Sequence, residues 1–114
     1  MAITEYAFSQ AVDTTEWCVN DDAAFTTQAV TTHGQIQGWL DLSDMAGTDQ
    51  LQIRLYEKII SGGTQFFLSL GNPTGPQSEP FVFPSFIVMH GWAITVKAIV
   101  GTITVVGSIR LVPV

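Results

Sequence analysis

The chain has 114 residues, 46% of them hydrophobic and only 12% charged, with a formal net charge of −6 from ten acidic and four basic residues. One domain with one core fits this length, spanning residues 1–114, and the acidic balance removes the usual electrostatic route to nucleic acid. Lys58, Lys97, Arg54 and Arg110 are spread along the sequence and form no basic run, so no DNA or RNA partner is expected.

Cys18 is the single cysteine, which excludes an internal disulfide and a thiolate zinc cluster. The opening Met1-Ala2-Ile3-Thr4-Glu5 lacks the basic and apolar segments of a secretory signal. Apolar runs are too short and too interrupted to span a bilayer, so no membrane partner is expected and synthesis in a reducing cytoplasm fits best. A charged fraction this far below the roughly 25% of an ordinary domain leaves too little charge to cover the surface, which implies burial against a neighbour.

In chain order, "EYAFSQAV", "TEWCV" and "QAVTTH" read as short strands separated by Asp13-Thr14-Thr15 and Asn20-Asp21-Asp22. The run "QIQGWLDL" (35–42) alternates: Ile36, Gly38, Leu40 and Leu42 on one face, Gln35, Gln37 and Asp41 on the other. After the loop "SDMAGTD" (43–49), "QLQIRLYEK" separates Leu51, Ile53 and Leu55 from Gln52, Arg54, Tyr56 and Lys58 in the same way. A tip at Ser61, Gly62, Gly63 and Thr64 then supplies positive φ values for a tight hairpin, making residues 50–70 an antiparallel pair.

The stretch "GNPTGPQSEP" (71–80), with three prolines and two glycines, predicts a long ordered loop. Pro84 interrupts "FVFPSFIVM" and places that strand at a sheet edge or on a bulge. "GWAITVKAIV" puts Trp92, Ile94 and Val96 opposite Thr95 and Lys97, and "TITVVGSIRLVPV" is a last β-branched strand. The expectation is an all-β antiparallel β-sandwich of about eight strands, with the jelly roll as a specific form of that class; strand order is not written in the sequence. Leu51, Ile53, Leu55, Leu68, Trp92, Ile94, Val96, Ile103 and Val105 are expected to face inward.

Catalytic groups are scarce. His33 and His90 each stand beside glycine at a strand end, where a turn residue is the plainer reading than a general base. No nucleophile elbow occurs, so no enzyme and no organic cofactor is expected. Asp41, Asp44 and Asp49 surround one loop, but not at the alternating spacing that wraps a calcium ion; turn formation explains them better, and no metal is assigned. Trp39 and Tyr56 lie on the polar faces of their strands, which suits a partner contact, a sugar-stacking platform or a ring tucked under a loop.

The stretches "IRLYEKIISGGTQFF" (53–67) and "GPQSEPFVFPSFIVMHGWAITVKAIVGT" (75–102) resemble a family of small β-sandwich accessory virion proteins of tailed bacteriophages, in which a Tyr-Glu-Lys strand, a glycine hairpin, a Pro-rich return and a Gly-Trp strand recur. The resemblance covers roughly the last two thirds of the chain. It implies a structural virion protein made in the host cytoplasm, foremost a capsid decoration, or cement, protein. Its partners would be the major capsid protein and copies of itself, a homotrimer over a local threefold being one such form. A tail or fibre adaptor is the alternative, and a carbohydrate-binding module with a glycan partner is a third. Under the decoration reading the contacts are expected in the N-terminal segment, with Tyr6 and Phe8, in the proline loop, with Asn72, Pro73 and Pro76, and at Trp39 and Tyr56.

Overall fold

The computed structural model describes residues 2–19, 23–25, 33–60 and 62–113. Nine strands occur among them and no helix: β1 (Thr4–Val12), β2 (Trp17–Cys18), β3 (Ala23–Ala24), β4 (Gly34–Asp41), β5 (Leu51–Lys58), β6 (Gln65–Gly71), β7 (Phe81–Val88), β8 (Trp92–Ala98) and β9 (Ile103–Pro113). They form two antiparallel sheets, one ordered β1-β9-β4-β7 and the other β3-β2-β8-β5-β6, packed as a β-sandwich. The strand expected at "QAVTTH" lies mostly outside the described residues.

The pairings nest. β5 pairs with β6, β4 with β7, β2 with β8 and β1 with β9, each antiparallel. This is one long hairpin centred on the β5–β6 connection and rolled so that its two arms close into two sheets, the jelly-roll arrangement. It also explains why the first and last strands are neighbours, with Thr4 opposite Leu111 and Val12 opposite Ile103.

The alternation read from the sequence decides which side chains fill the space between the sheets. Ile36 and Leu40 from β4, Leu51, Ile53 and Leu55 from β5, and Trp92, Ile94 and Val96 from β8 are buried together with Ile103 and Val105 of β9. Room for the aromatic rings comes from glycines on the inner faces. A methyl group at Gly38 would fall inside the ring of Phe83, and one at Gly107 would collide with Phe8 and Leu40. Glycine is needed there because large and small residues must alternate for opposing layers to interlock.

Three expectations about this core change. Leu68 is 52% exposed, although it is in register with buried Leu55, because β6 is an edge strand whose inner face runs past the cover of the other sheet. Phe8, expected at a partner contact, is only 5% exposed: it points between the sheets beside Gly107, its β9 partner in register. Thr95 is buried as well, so β8 is covered on both faces instead of turning a polar face to water.

The turn at the heart of the roll is wider than a two-residue hairpin. The β5–β6 ladder ends at Lys58 opposite Gln65, and the connection closes by the Gly63 N–H donating to the Ile60 carbonyl at 3.0 Å, with Gly62 at φ 75°. Gly62 meets the expected positive φ; Ser61 lies outside the described residues. Pro84 sits where the sequence put it, on edge strand β7 and at a bulge, where Pro84 and Ser85 together face Gln37.

Candidate assembly surface

Edge strands β6 and β7 belong to different sheets and lie on the same side of the sandwich. The sequence of β6 is QFFLSLG and that of β7 is FVFPSFIV, with no charged residue in either. Natural edge strands are usually guarded by lysine, proline or bulges. β7 has its proline bulge, and β6 has a register shift at Leu70, but the stretch from Gln65 to Ser69 pairs regularly with β5 and carries no guard on its open side.

Between the two edges lies a cleft of about 340 Å³ lined by Leu55, Ile59, Phe66, Leu68, Phe86 and Ile87, among others. Phe66, Phe67 and Leu68 are each more than half exposed, as are Ile59 and Ile60 in the connection and Ile87 on β7. The one charged side chain lining the cleft is Glu57, and its carboxylate is already engaged: Oε1 accepts from the backbone N–H of Met89 at 2.6 Å and of His90 at 3.3 Å. That pair of bonds ties the end of β7 to β5 and holds the cleft's two walls together.

On the outer face above β6, Phe67 is held by its neighbours. The Arg54 guanidinium lies 4.1 Å from its ring centroid, and Tyr56 lies 5.7 Å away on its other contact. Tyr56 in turn donates its hydroxyl hydrogen to Glu16, at 2.8 Å to Oε2, and Thr95 Oγ1 donates to the same oxygen at 2.5 Å. Arg54 Nη1 donates to the Tyr56 hydroxyl at 3.2 Å. Phe25 stacks on Tyr56 with ring centroids 4.5 Å apart. Burial pushes the Tyr56 phenol above the usual tyrosine range; the Arg54 hydrogen bond opposes that shift and the Glu16 carboxylate reinforces it.

The residues singled out from the sequence do not come together. Tyr6 packs edge-on against Trp92 at 5.8 Å and Phe8 is in the core, so the N-terminal strand spends its aromatics inside. Tyr56 is half-buried on the outer face of the β5 sheet. Trp39 is 37% exposed on the outer face of the opposite sheet, its Nε1 donating to Gln37 Oε1 at 3.3 Å and its ring carrying the Arg110 guanidinium at 5.2 Å. No loop is needed to cover it. Asn72 and Pro76 are exposed and Pro73 is half-buried. The first half of their loop is stitched to the start of β5, with Leu51 N–H donating to the Pro73 carbonyl at 3.0 Å and Gly75 N–H to the Asp49 carbonyl at 2.7 Å.

The acidic loop residues serve the backbone. Asp41 Oδ1 accepts from Ser43 N–H, Asp49 Oδ2 from Ala46 N–H, and Asp44 Oδ2 from Thr104 N–H at 2.7 Å. The Ser43 bonds hold the Asp41 carboxyl below the usual range. Among the described residues, no three His, Cys, Asp or Glu side chains stand close enough to hold a metal ion.

The β6 surface was missed in the sequence because its in-phase apolar residues look the same whether the facing sheet covers them or not. A signal was there to use: Phe66-Phe67-Leu68 puts three large apolar residues in succession, so at least one must leave the core whichever face is buried.

No family model matches the chain, and no curated protein matches it. Among solved structures it is similar to a protein of the Bacillus endospore appendages, described as a novel family of disulfide-linked pili. The match covers 99% of this chain and 88% of the other, with a TM-score of 0.50 and 10% sequence identity, and at that identity it speaks for the fold: a two-sheet β-sandwich.

Proposed function

We propose that the protein is a structural, non-enzymatic subunit of a large multicopy particle, and specifically a decoration protein that binds the major-capsid lattice of a phage virion. The observation that carries the assembly reading is the β6–β7 side, an uncharged pair of edge strands flanking an apolar cleft on a chain that is otherwise strongly acidic. An apolar patch of this extent rimmed by polar residues is the mark of a protein-binding surface. The capsid assignment rests on the resemblance of residues 53–67 and 75–102 to accessory virion proteins. A shell suits such a subunit, because many repeated weak contacts add up to firm attachment.

The fold likeness to an appendage protein is compatible with a structural subunit. Disulfide linking is not part of the proposal, since Cys18, the sequence's single cysteine, is fully buried. Quantitative mass spectrometry of purified particles tests the assignment. Hundreds of copies per particle support a lattice protein, a few copies at one vertex favour a tail or fibre adaptor, and absence from particles ends the virion reading.

A further inference from the structure

We propose that the unguarded edge of β6 pairs with the β6 edge of a second copy of this chain, antiparallel about a twofold axis through Phe67, so that the five-stranded sheets of two protomers join into one. This deepens the assembly reading by naming a partner for the β6–β7 surface, and it does not depend on the particle being a virion.

Four observations converge on a second copy as the occupant. The regular, unbulged part of β6 runs from Gln65 to Ser69, so its midpoint is Phe67, and an antiparallel pair of identical strands is self-complementary about that midpoint. Such a pairing sets Phe66 opposite the partner's Leu68 and Gln65 opposite the partner's Ser69, matching apolar with apolar and polar with polar.

The second observation is electrostatic. Two copies of a chain with net charge −6 repel, and β6 is a place where they can meet with no carboxylate on either strand. On the neighbouring strand β5, Arg54 and Lys58 are cationic, and the carboxylate of Glu57, opposite Phe66, is engaged by the Met89 and His90 N–H groups. Third, the stretch of β6 from Gln65 to Ser69 is free of the devices that keep edges apart, whereas β7 beside it has Pro84 and a bulge.

The fourth is area. Ile59, Ile60, Phe66, Phe67, Leu68 and Ile87 are each more than half exposed. With roughly 150–250 Å² for an aromatic side chain and somewhat less for an aliphatic one, they leave on the order of 700–800 Å² in water. A stable interface buries about 800 Å² per partner, so this patch is of the right size for one. The pairing is closed by two. A threefold cluster would instead need two different patches that fit each other, and identical edges cannot supply that.

The experiment is sedimentation equilibrium of the full chain over a concentration series, with two variants. The wild type is expected to be a dimer. Phe67→Cys is expected to give a covalent dimer with a short thiol-reactive crosslinker, because it brings two thiols to the axis while Cys18 stays buried. Leu68→Lys, which places a charge beside its symmetry mate, is expected to be monomeric with an unchanged β dichroism spectrum and a melting temperature that no longer rises with protein concentration. A wild type that stays monomeric at high concentration, an open series of larger species, or a dimer that survives Leu68→Lys and fails to crosslink through Phe67→Cys overturns the proposal. Particle composition is read separately, so a dimer absent from virions would sink the capsid assignment and leave this pairing standing.

Discussion

Tyr56 on β5 gives its hydroxyl hydrogen to Glu16, forty residues earlier in the chain, at 2.8 Å. The bond pins the connection between β1 and β2 onto the outer face of the β5 sheet, and Thr95 on β8 donates to the same carboxylate. It makes the ionisation of one tyrosine a reporter of that contact.

The folded state prefers the neutral phenol, since burial raises its ionisation above 10.0. The stabilisation is therefore complete below the unfolded-state value of about 10 and is lost as pH rises through the higher folded value. Absorbance titration at the phenolate band, taken as the difference between wild type and Tyr56→Phe, should place the Tyr56 step above the usual tyrosine range. Glu16→Gln should move that step downward, and an unchanged titration would mean that the contact does not form in solution.

Phe8 is a core residue, and its truncation should be costly. Phe8→Ala is expected to destabilise by about 3–5 kcal/mol, with the cavity bordered by Gly107 and Leu40. Phe66→Ala, on the exposed cleft wall, is expected to cost less than about 1 kcal/mol in the monomer. Urea midpoints compare the two directly; equal losses would contradict the burial pattern.

Gly38 must remain glycine for a steric reason. Its φ is not positive, and what excludes a side chain is the ring of Phe83 across the β4–β7 ladder. Gly38→Ala should cost about 1–3 kcal/mol through overpacking, and pairing it with Phe83→Leu should recover part of the loss. A neutral Gly38→Ala in chemical denaturation would show that the two sheets yield more easily than this packing implies.

Trp39 discriminates the assembly reading from a sugar-binding one. Its ring carries Arg110 on one side and stands on the largely polar outer face of β4, opposite Val82, outside the lining of the cleft between β6 and β7. Trp39→Ala is expected to leave self-association unchanged and to alter stability by about 1 kcal/mol or less. Tryptophan-fluorescence titration with oligosaccharides is expected to show no saturable change; a saturable change lost in Trp39→Ala would favour the glycan reading.

Much of the fold was legible because alternation is a local property. Ile36 to Leu42 and Leu51 to Leu55 declare their buried face within a few residues, and Pro84 declares an edge or bulge by lacking an N–H. What was not legible depends on distant partners. Nothing near Phe8 says that β9, about a hundred residues on, supplies a glycine to receive it. Nothing near Thr95 says that the outer face of β8 is covered, and nothing near Leu68 says that the opposite sheet stops short of it. The candidate surface was hidden for the same reason. Exposure of an apolar strand is set by where the sheets end, and sheet order is fixed by the nested pairing of the whole chain.

The central claim is that the open side of β6 is the surface through which this protein assembles. Hydrogen–deuterium exchange measured on the dilute monomer and on the assembled form tests it most directly, because an edge strand gains backbone partners only where it is paired. The account predicts slowed exchange in the segment from Gln65 to Ser69, with β1, the edge of the other sheet away from β7, unchanged. Exchange at β6 that is the same in both forms, with protection appearing at β1 or in the 71–80 loop instead, would contradict it.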